Sequence, residues 1–465
     1  MARANRHDGP MSDHRPLDRT RLGNLLEREI RTFRDDHPKS LALFERAQGS
    51  LLAGVPMNWM VRWAGGFPIF VETAAGAHLT DVDGHDYIDF CLGDTGAMAG
   101  HDASPTVRAV ERQVHGRGIT LMLPTEDAIW CGEELQRRFG LKYWQFTLTA
   151  TDANRFAIRL ARMITGRPKV AVHDFCYHGS VDETIATLDP DGRVVDREGN
   201  IGPPVDPAVT TSVVPYNDLA ALEAALAPRD VAVLLIEPAL TNIGIVLPEP
   251  GYLEGVRELT RRYETLLIID ETHTICAGPG GCTRLYGLDP DILVIGKTIG
   301  GGIPVGTYGF SQELGDRISA ALDIETSDVG GIGGTLAGYA LSLAAVRATL
   351  GEVLTEAAFE RMIPLAERWQ AGVEAAIRER NVPWHVTRLG CRAEYHFLAD
   401  PPRDGAAQWA AADPELERFL HLYAMNRRIV MTPFHNMALM SPATTEADVD
   451  AHSAVFDQAL VELFG

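Results

Sequence analysis

No stretch of the 465 residues carries the ~20 consecutive apolar residues that a membrane-spanning helix needs. The start, Met1 to Thr20, is polar and holds no apolar core of the kind a secretory leader requires, so a cytoplasmic location is expected. Cysteine is sparse. Cys91, Cys131, Cys176, Cys276, Cys282 and Cys391 are scattered without CxxC spacing, and several lie inside apolar runs, so they read as reduced core residues and no metal site is expected. Positive charge is also short. Lys and Arg total 42 against 63 Asp and Glu, and the formal charge of −21 opposes any broad surface field for phosphate backbones or anionic lipid. Neither nucleic acid nor membrane is expected as a partner, although a small basic pocket for a phosphorylated ligand needs only a few placed residues. No internal repeat or low-complexity tract is present.

What is there has the balance of a globular enzyme, 46% apolar and 23% charged, in a chain longer than one hydrophobic core usually spans. Residues 1–16 read as a disordered tail. Residues 17–100 read as an N-terminal segment that joins a smaller domain, with helical spacing over 17–52. Two strand-like runs follow, Phe67-Pro-Ile-Phe-Val-Glu and His78 to Phe90, the second turning at Asp83-Gly84. Residues 101–350 alternate apolar strands with helical segments, as a mostly parallel sheet covered by crossover helices requires. The strands expected are 143–149, 169–175, 231–236, 265–269, 292–295 and 306–310; helices are expected over 153–165, 219–227 and 252–263. The stretch 188–214, rich in Asp, Gly and Pro, reads as a surface excursion. Residues 351–465 complete the smaller domain with strands and a final helix.

In open parallel sheets ligands gather outside the carboxyl ends of the strands, which directs attention to the residues just after each apolar run. Lys297 follows Asp291-Ile-Leu-Val-Ile-Gly and precedes Thr298-Ile-Gly-Gly-Gly. A lysine there is costly unless its amine is neutral, paired or covalently used; an aldehyde cofactor would use it, and snorkelling to solvent is the bland alternative. Asp270 ends Leu266-Leu-Ile-Ile and needs a cationic partner, either a protonated pyridine nitrogen or an ordinary cap or ion pair. In Thr149-Ala-Thr-Asp-Ala-Asn154, Ala150 and Thr151 stand where a helix N-terminus would cradle a phosphate, or where Thr151 or Asp152 simply caps the helix. Tyr177, in Tyr177-His-Gly, could stack on a flat ligand with Thr272 on the opposite face, or belong to the core.

Together with Glu237-Pro, Asp81-Val-Asp-Gly, Asn242-Ile-Gly-Ile-Val-Leu-Pro and Gly333-Gly-Thr-Leu-Ala-Gly, these motifs occur in the order seen in class-III aminotransferases. From about Gly54 to the C-terminus the chain resembles that family, most of all glutamate-1-semialdehyde aminomutase and its transaminase relatives. The resemblance implies an α/β fold of the fold-type I pyridoxal-phosphate (PLP) transferases. This comprises a large domain around a mostly parallel seven-stranded sheet and a smaller α+β domain made from both chain ends. It also implies a homodimer with active sites at the interface. Lys297 matches the Schiff-base lysine and Asp270 the partner of the pyridinium nitrogen. Ala150 and Thr151 match the phosphate loop, Tyr177 the stacking aromatic and Glu237 the glutamate of the Glu-Pro pair, while Thr272 contacts the ring. Thr335 matches the threonine that reaches the neighbouring subunit's phosphate. The chain departs from the family at Ala150 and Asp152, at Thr272 and His273 after Asp270-Glu, and at Tyr339-Ala340, where Asn-Pro is usual.

For the substrate carboxylate, Arg62 aligns with the arginine of the aminomutase group, and Arg392 is a second candidate that could pair with Glu394 instead. Trp59, Trp63 and Met122 leave room for an apolar or aromatic substituent. The leading reading is transfer of an amino group between an amine or amino acid and a keto acid or aldehyde. An amino shift within one substrate, or an epimerisation, is the alternative; binding of PLP without turnover is the remote one.

Overall fold

Runs of Val, Leu and Ile that are apolar at every position can be strands only if both faces of the sheet are covered. The computed structural model, which describes residues 15–323 and 327–465, builds them so. Every residue of Val231–Ile236, Leu266–Asp270 and Ile292–Gly296 is buried. They form the centre of a seven-stranded sheet in the order Tyr143–Thr147, Gly306–Phe310, Ile292–Gly296, Leu266–Asp270, Val231–Ile236, Lys169–His173, Thr211–Val214. Gly306–Phe310 runs antiparallel to both of its neighbours; the other pairings are parallel. Side chains alternate between two cores along a strand, Ile292 and Val294 toward one and Leu293 and Ile295 toward the other.

The edge strand Thr211–Val214 corrects the reading of 188–214 as an excursion alone. It pairs on one side only, and its Thr-Ser-Val-Val sequence is too short and too polar to stand out as a buried run. The rest of that stretch lies beside a small hairpin, Ala186–Leu188 with Val194–Asp196, and holds the one-turn helix Pro207–Thr210.

Both chain ends build the remainder. The helical spacing of 17–52 resolves into Arg19–Asp36 and Pro38–Ala47, broken where Pro38 follows His37. Of the expected tail, residues 1–14 lie outside the described residues, and Arg15 already donates its backbone N–H to the Asn381 carbonyl at 3.2 Å. Val71–Ala75, His78–Asp81 and Asp86–Asp89 form an antiparallel sheet that Ile429–Val430 extends in parallel beside Asp86–Asp89. The long helix Glu356–Arg380 packs against the final helix Glu446–Phe464 and against the antiparallel strands His385–Leu389, Arg392–His396 and Met437–Leu439. No helix among the described residues is long and apolar enough to cross a membrane.

One turn fastens this C-terminal part to the rim of the large sheet. Gly390, at φ +58°, reverses the chain between two strands, and the next residue's N–H donates to the Cys276 carbonyl at 2.9 Å. A Cβ on Gly390 would fall on that same carbonyl oxygen. Gly390→Ala is therefore expected to cost more than about 2 kcal/mol, since strain at positive φ adds to a clash with backbone that cannot rotate away. Chemical denaturation against the wild-type protein measures it.

Candidate active site

Loops leaving the carboxyl ends of the central strands surround a cavity of about 600 Å³. Its walls include Trp59, Ala150, Thr151, Tyr177, Glu237, Asp270, Thr272, His273 and Lys297, which sit on six separate segments of chain.

Lys297 follows directly on Ile292–Gly296 with φ +51°, a left-handed conformation that a lysine adopts only under constraint. Its amine does not snorkel outward. Nζ donates to the Asp94 carbonyl at 2.9 Å and lies 2.7 Å from His273 Nε2. Burial pushes its pKa down, against the opposing pull of Asp94 and Asp270.

Asp270 closes Leu266–Asp270 and is fully engaged. Oδ2 accepts from Asn154 Nδ2 at 2.9 Å and from His178 Nδ1 at 3.0 Å, and Oδ1 accepts from the Thr272 N–H at 3.0 Å. Burial opposes the carboxylate, but the hydrogen bond and charge of His178 prevail and hold it down to about 2. For His178 burial opposes the imidazolium, and the neighbouring Cys176 and Asp270 outweigh it, raising it to about 10. The two form a buried ion pair.

The helix Ala150–Thr165 starts at the cavity, capped by Thr149, whose side chain accepts the Asp152 N–H, and not by Thr151 or Asp152. The N–H groups of Ala150 and Thr151 in the first turn have no partner within the helix. Thr151 Oγ1 accepts from the Ser180 N–H at 3.2 Å, and Gly179, at φ +79°, lies so close that a Cβ there would overlap Thr151 Oγ1. Glu237 is buried and its pKa is raised by burial; one carboxyl oxygen accepts from the Thr241 hydroxyl, and Oε1 has no partner. Thr272 Oγ1 likewise has none. Both oxygens belong to residues that line the cavity and have hydrogen-bonding capacity left unused. The Tyr177 ring centre is 5.6 Å from that of Trp59, and Trp59 meets Phe434 edge-on at 5.5 Å.

Thus Lys297, Asp270, Ala150, Thr151, Tyr177, Glu237 and Thr272 come together, and Arg62, Thr335, Arg392 and Met122 do not. Arg62 is exposed at the end of the short helix Asn58–Arg62, three residues past Trp59. Thr335 is exposed on the surface. Arg392 is wholly buried behind the wall, donating to the Thr241 carbonyl at 2.7 Å, 3.6 Å from Glu394 and 3.8 Å from Asp94. Met122 stands in solvent.

Sequence reasoning missed His178 and Asn154 as the partners of Asp270, and it missed Asp94. The signal for Asp94 was available: a carboxylate between two glycines, Gly93-Asp-Thr-Gly96, at the end of an apolar run. Burial opposes its charge, yet the basic groups facing it, Arg392 among them, hold the Asp94 carboxyl well below the usual carboxylate range.

The family model of class-III aminotransferases matches residues 59–412. The chain belongs to the class-III aminotransferase family. Among curated relatives, glutamate-1-semialdehyde 2,1-aminomutase of Anaeromyxobacter dehalogenans is 33% identical over 417 residues, 88% of this chain and 95% of its own. A crystal structure described as a glutamate-1-semialdehyde aminomutase from Pseudomonas aeruginosa, a lysine-to-alanine variant in complex with PMP, is 50% identical with a TM-score of 0.94, covering 96% of this chain and 99% of that one. An omega-transaminase from Sphaerobacter thermophilus is 30% identical with a TM-score of 0.83, covering 92% and 98%. The sheet described above is therefore that of the fold-type I PLP transferases, as the resemblance implied. The protein is an enzyme of this class-III family.

Proposed function

We propose that this class-III enzyme is a PLP-dependent aminotransferase in which Lys297 carries the cofactor. The observation that carries the reading is the Lys297 amine, turned inward on the cavity that also holds Asp270, whose pKa is held down by His178 against burial. The residues fit the cofactor's parts. Ala150 and Thr151 offer N–H groups at the positive end of a helix dipole to the phosphate. Asp270 offers its charge to a protonated ring nitrogen, and Tyr177 and Thr272 wall the ring, with the unpartnered Thr272 hydroxyl and Glu237 Oε1 free to meet its polar substituents.

Pyridoxal phosphate supplies an aldehyde carbon that condenses with amines and a ring that withdraws electrons from the substrate carbon. Asp270 keeps the ring nitrogen protonated, so the withdrawal persists. The Lys297 amine would take the proton from the substrate carbon and deliver it to the carbon that enters as the cofactor's aldehyde, acting as base and then acid. Burial favours the neutral amine that this work needs. Water would supply the oxygen with which the donor leaves as a carbonyl compound, and a keto acid or aldehyde would give up its oxygen as water on receiving the amino group.

The apolar wall around Trp59, Ala97, Leu148 and Ile303 suits a donor with an apolar or aromatic substituent. Arg62, close to Trp59 in sequence, remains the candidate for a substrate carboxylate, and Arg392 is too enclosed to serve without rearrangement. Arg62→Ala is expected to raise KM for carboxylated substrates about tenfold or more, the worth of a charged hydrogen bond. Unchanged kinetics on all of them removes Arg62 from the site. Homodimerisation would bring the exposed Thr335 to a second copy's phosphate, and six unpaired buried cysteines support a reducing, cytoplasmic setting.

The second reading is an amino shift within one substrate, favoured by the aminomutase names of the relatives. Acceptor dependence separates the two. Purified enzyme given an amine donor alone should convert one equivalent of cofactor to its aminated form, followed by absorbance, and then stop. Continued product formation without any acceptor sinks the transaminase reading and leaves the mutase.

A further inference from the structure

Among the described residues, His273 is the one that both touches the Lys297 amine and departs from the family pattern on which the Lys297 assignment rests. We infer that His273, with the backbone carbonyl of Asp94, forms a cradle that fixes the direction of the Lys297 amine whenever that amine is not bonded to the cofactor. The inference rests on Lys297 being the cofactor lysine and makes His273 a positioning residue for the proton-moving base.

A neutral amine has two N–H bonds and one lone pair. Left alone on its flexible chain, it rotates among staggered orientations about the terminal carbon, and the lone pair points at the substrate for only part of the time. Two acceptors stand around Nζ here, His273 Nε2 at 2.7 Å and the Asp94 carbonyl at 2.9 Å. They take both hydrogens and leave the lone pair as the one unoccupied direction.

For His273 to accept at Nε2 its ring proton must be on Nδ1, and a partner for that proton is present: Thr95 Oγ1 lies 2.9 Å from Nδ1, with the Asp94 carboxylate 3.7 Å away. Burial holds the ring below its ordinary range, and so neutral, against the pull of Asp94 and Asp270. Burial also lowers the pKa of Lys297, and Asp94, Asp270, Arg392 and Glu237 are charged groups around it. His273 therefore accepts a hydrogen bond without taking the proton. When the substrate C–H bond breaks, its electron pair stays with the substrate and the proton becomes the third N–H bond of Lys297. That bond would break again when the proton is delivered to the carbon that enters as the cofactor's aldehyde.

The frame around the cradle is rigid from both sides. Glu271, between Asp270 and the Thr272-His273 pair, is locked by the Thr274 hydroxyl and by the N–H groups of Cys282 and Thr283. Leu92 and Asp94 hold left-handed backbone at φ +43° and +41°, a conformation retained only where the surroundings enforce it, and this turn is what presents the Asp94 carbonyl.

The test compares His273→Phe, which removes the acceptor, with His273→Gln, which restores one, and with Thr95→Val, which frees the ring proton. In cofactor-free protein, the pH dependence of Lys297 reductive methylation, read by peptide mass spectrometry, reports the amine directly. Its midpoint should fall by about one unit in His273→Phe, as expected when an ammonium loses one hydrogen bond, and stay near wild type in His273→Gln. With cofactor, single-turnover reaction of an α-deuterated amine donor should slow about ten- to hundredfold in His273→Phe, with a larger isotope effect and little change in KM, and Gln should recover most of the rate. Thr95→Val should fall between and carries the test if the Phe protein does not fold. An unmoved midpoint and isotope effect in His273→Phe and Thr95→Val, or a Gln protein as slow as Phe, overturns the cradle. Borohydride treatment of wild-type holoenzyme separates the two levels. Failure to fix cofactor on Lys297 defeats the underlying assignment, and fixation together with unmoved variants defeats the cradle alone.

Discussion

Lys297→Ala protein should lose every trace of borohydride-reducible cofactor while still binding it, and its single-turnover rate with an amine donor should fall at least about a thousandfold. On the proposed reading two losses would combine: the covalent attachment that presents the cofactor for amine exchange, and the base that moves the proton. Retention without the bond is expected because the other groups proposed to hold the cofactor do not involve Lys297: the N–H groups at the start of Ala150–Thr165, the Asp270 carboxylate, and the walls at Tyr177 and Thr272. Mass spectrometry after reduction reads the first effect and stopped-flow absorbance the second. A covalent adduct still trapped in the variant would show that another amine carries the cofactor.

Asp270→Ala is expected to be nearly as damaging and for a different reason. The carboxylate neutralises a buried imidazolium at His178 and accepts from Asn154 and the Thr272 N–H, so its removal takes an acceptor from three donors, one of them charged, and leaves Asn154 only the His178 carbonyl. Breaking such a pair costs about 3 to 5 kcal/mol. The cofactor ring loses its anionic partner as well, and affinity for pyridoxal phosphate should fall about a hundredfold or more, measured by titration of the cofactor-free protein. The pair also has a defined pH window. The folded value of Asp270, about 2, lies below its ordinary 3.8, so its stabilisation is present above 3.8 and is lost as pH falls toward 2. That of His178, about 10, lies above its ordinary 6.5, so its share is complete below 6.5 and is lost as pH rises through 10. The stability difference between wild type and Asp270→Asn should therefore be greatest between 3.8 and 6.5 and shrink on both sides. A difference that grows with pH above 6.5 contradicts the ion pair.

Where Asp270 and Lys297 stand in the fold was legible because apolar strand and polar end group follow one another in sequence. Leu266-Leu-Ile-Ile-Asp270 and Ile292-Leu-Val-Ile-Gly-Lys297 announce both the buried strand and the group it delivers. What sequence could not show are contacts made across the chain. Asp94 acts on His273 and Lys297 from about two hundred residues away, through a carbonyl aimed by a left-handed turn, and nothing in periodicity reports that. Arg392 illustrates the reverse limit. An arginine two residues before a glutamate reads equally as a substrate arm or as an inner ion pair, and only burial beside Glu394 and Thr241 separates them. Thr211–Val214 escaped because an edge strand with one partner needs no continuous apolar run.

The short pairing of Ile429–Val430 with Asp86–Asp89 also bears on how the protein is made. During synthesis the N-terminal strands must wait, with one edge bare, until more than nine-tenths of the 465 residues have left the ribosome and the last strand arrives. The central sheet, whose strands lie between Tyr143 and Phe310, needs none of that delay and can close first. A newborn chain would thus hold a finished cofactor platform beside an unfinished edge, and that edge is where crowding, premature termination or a slow codon run would do its damage.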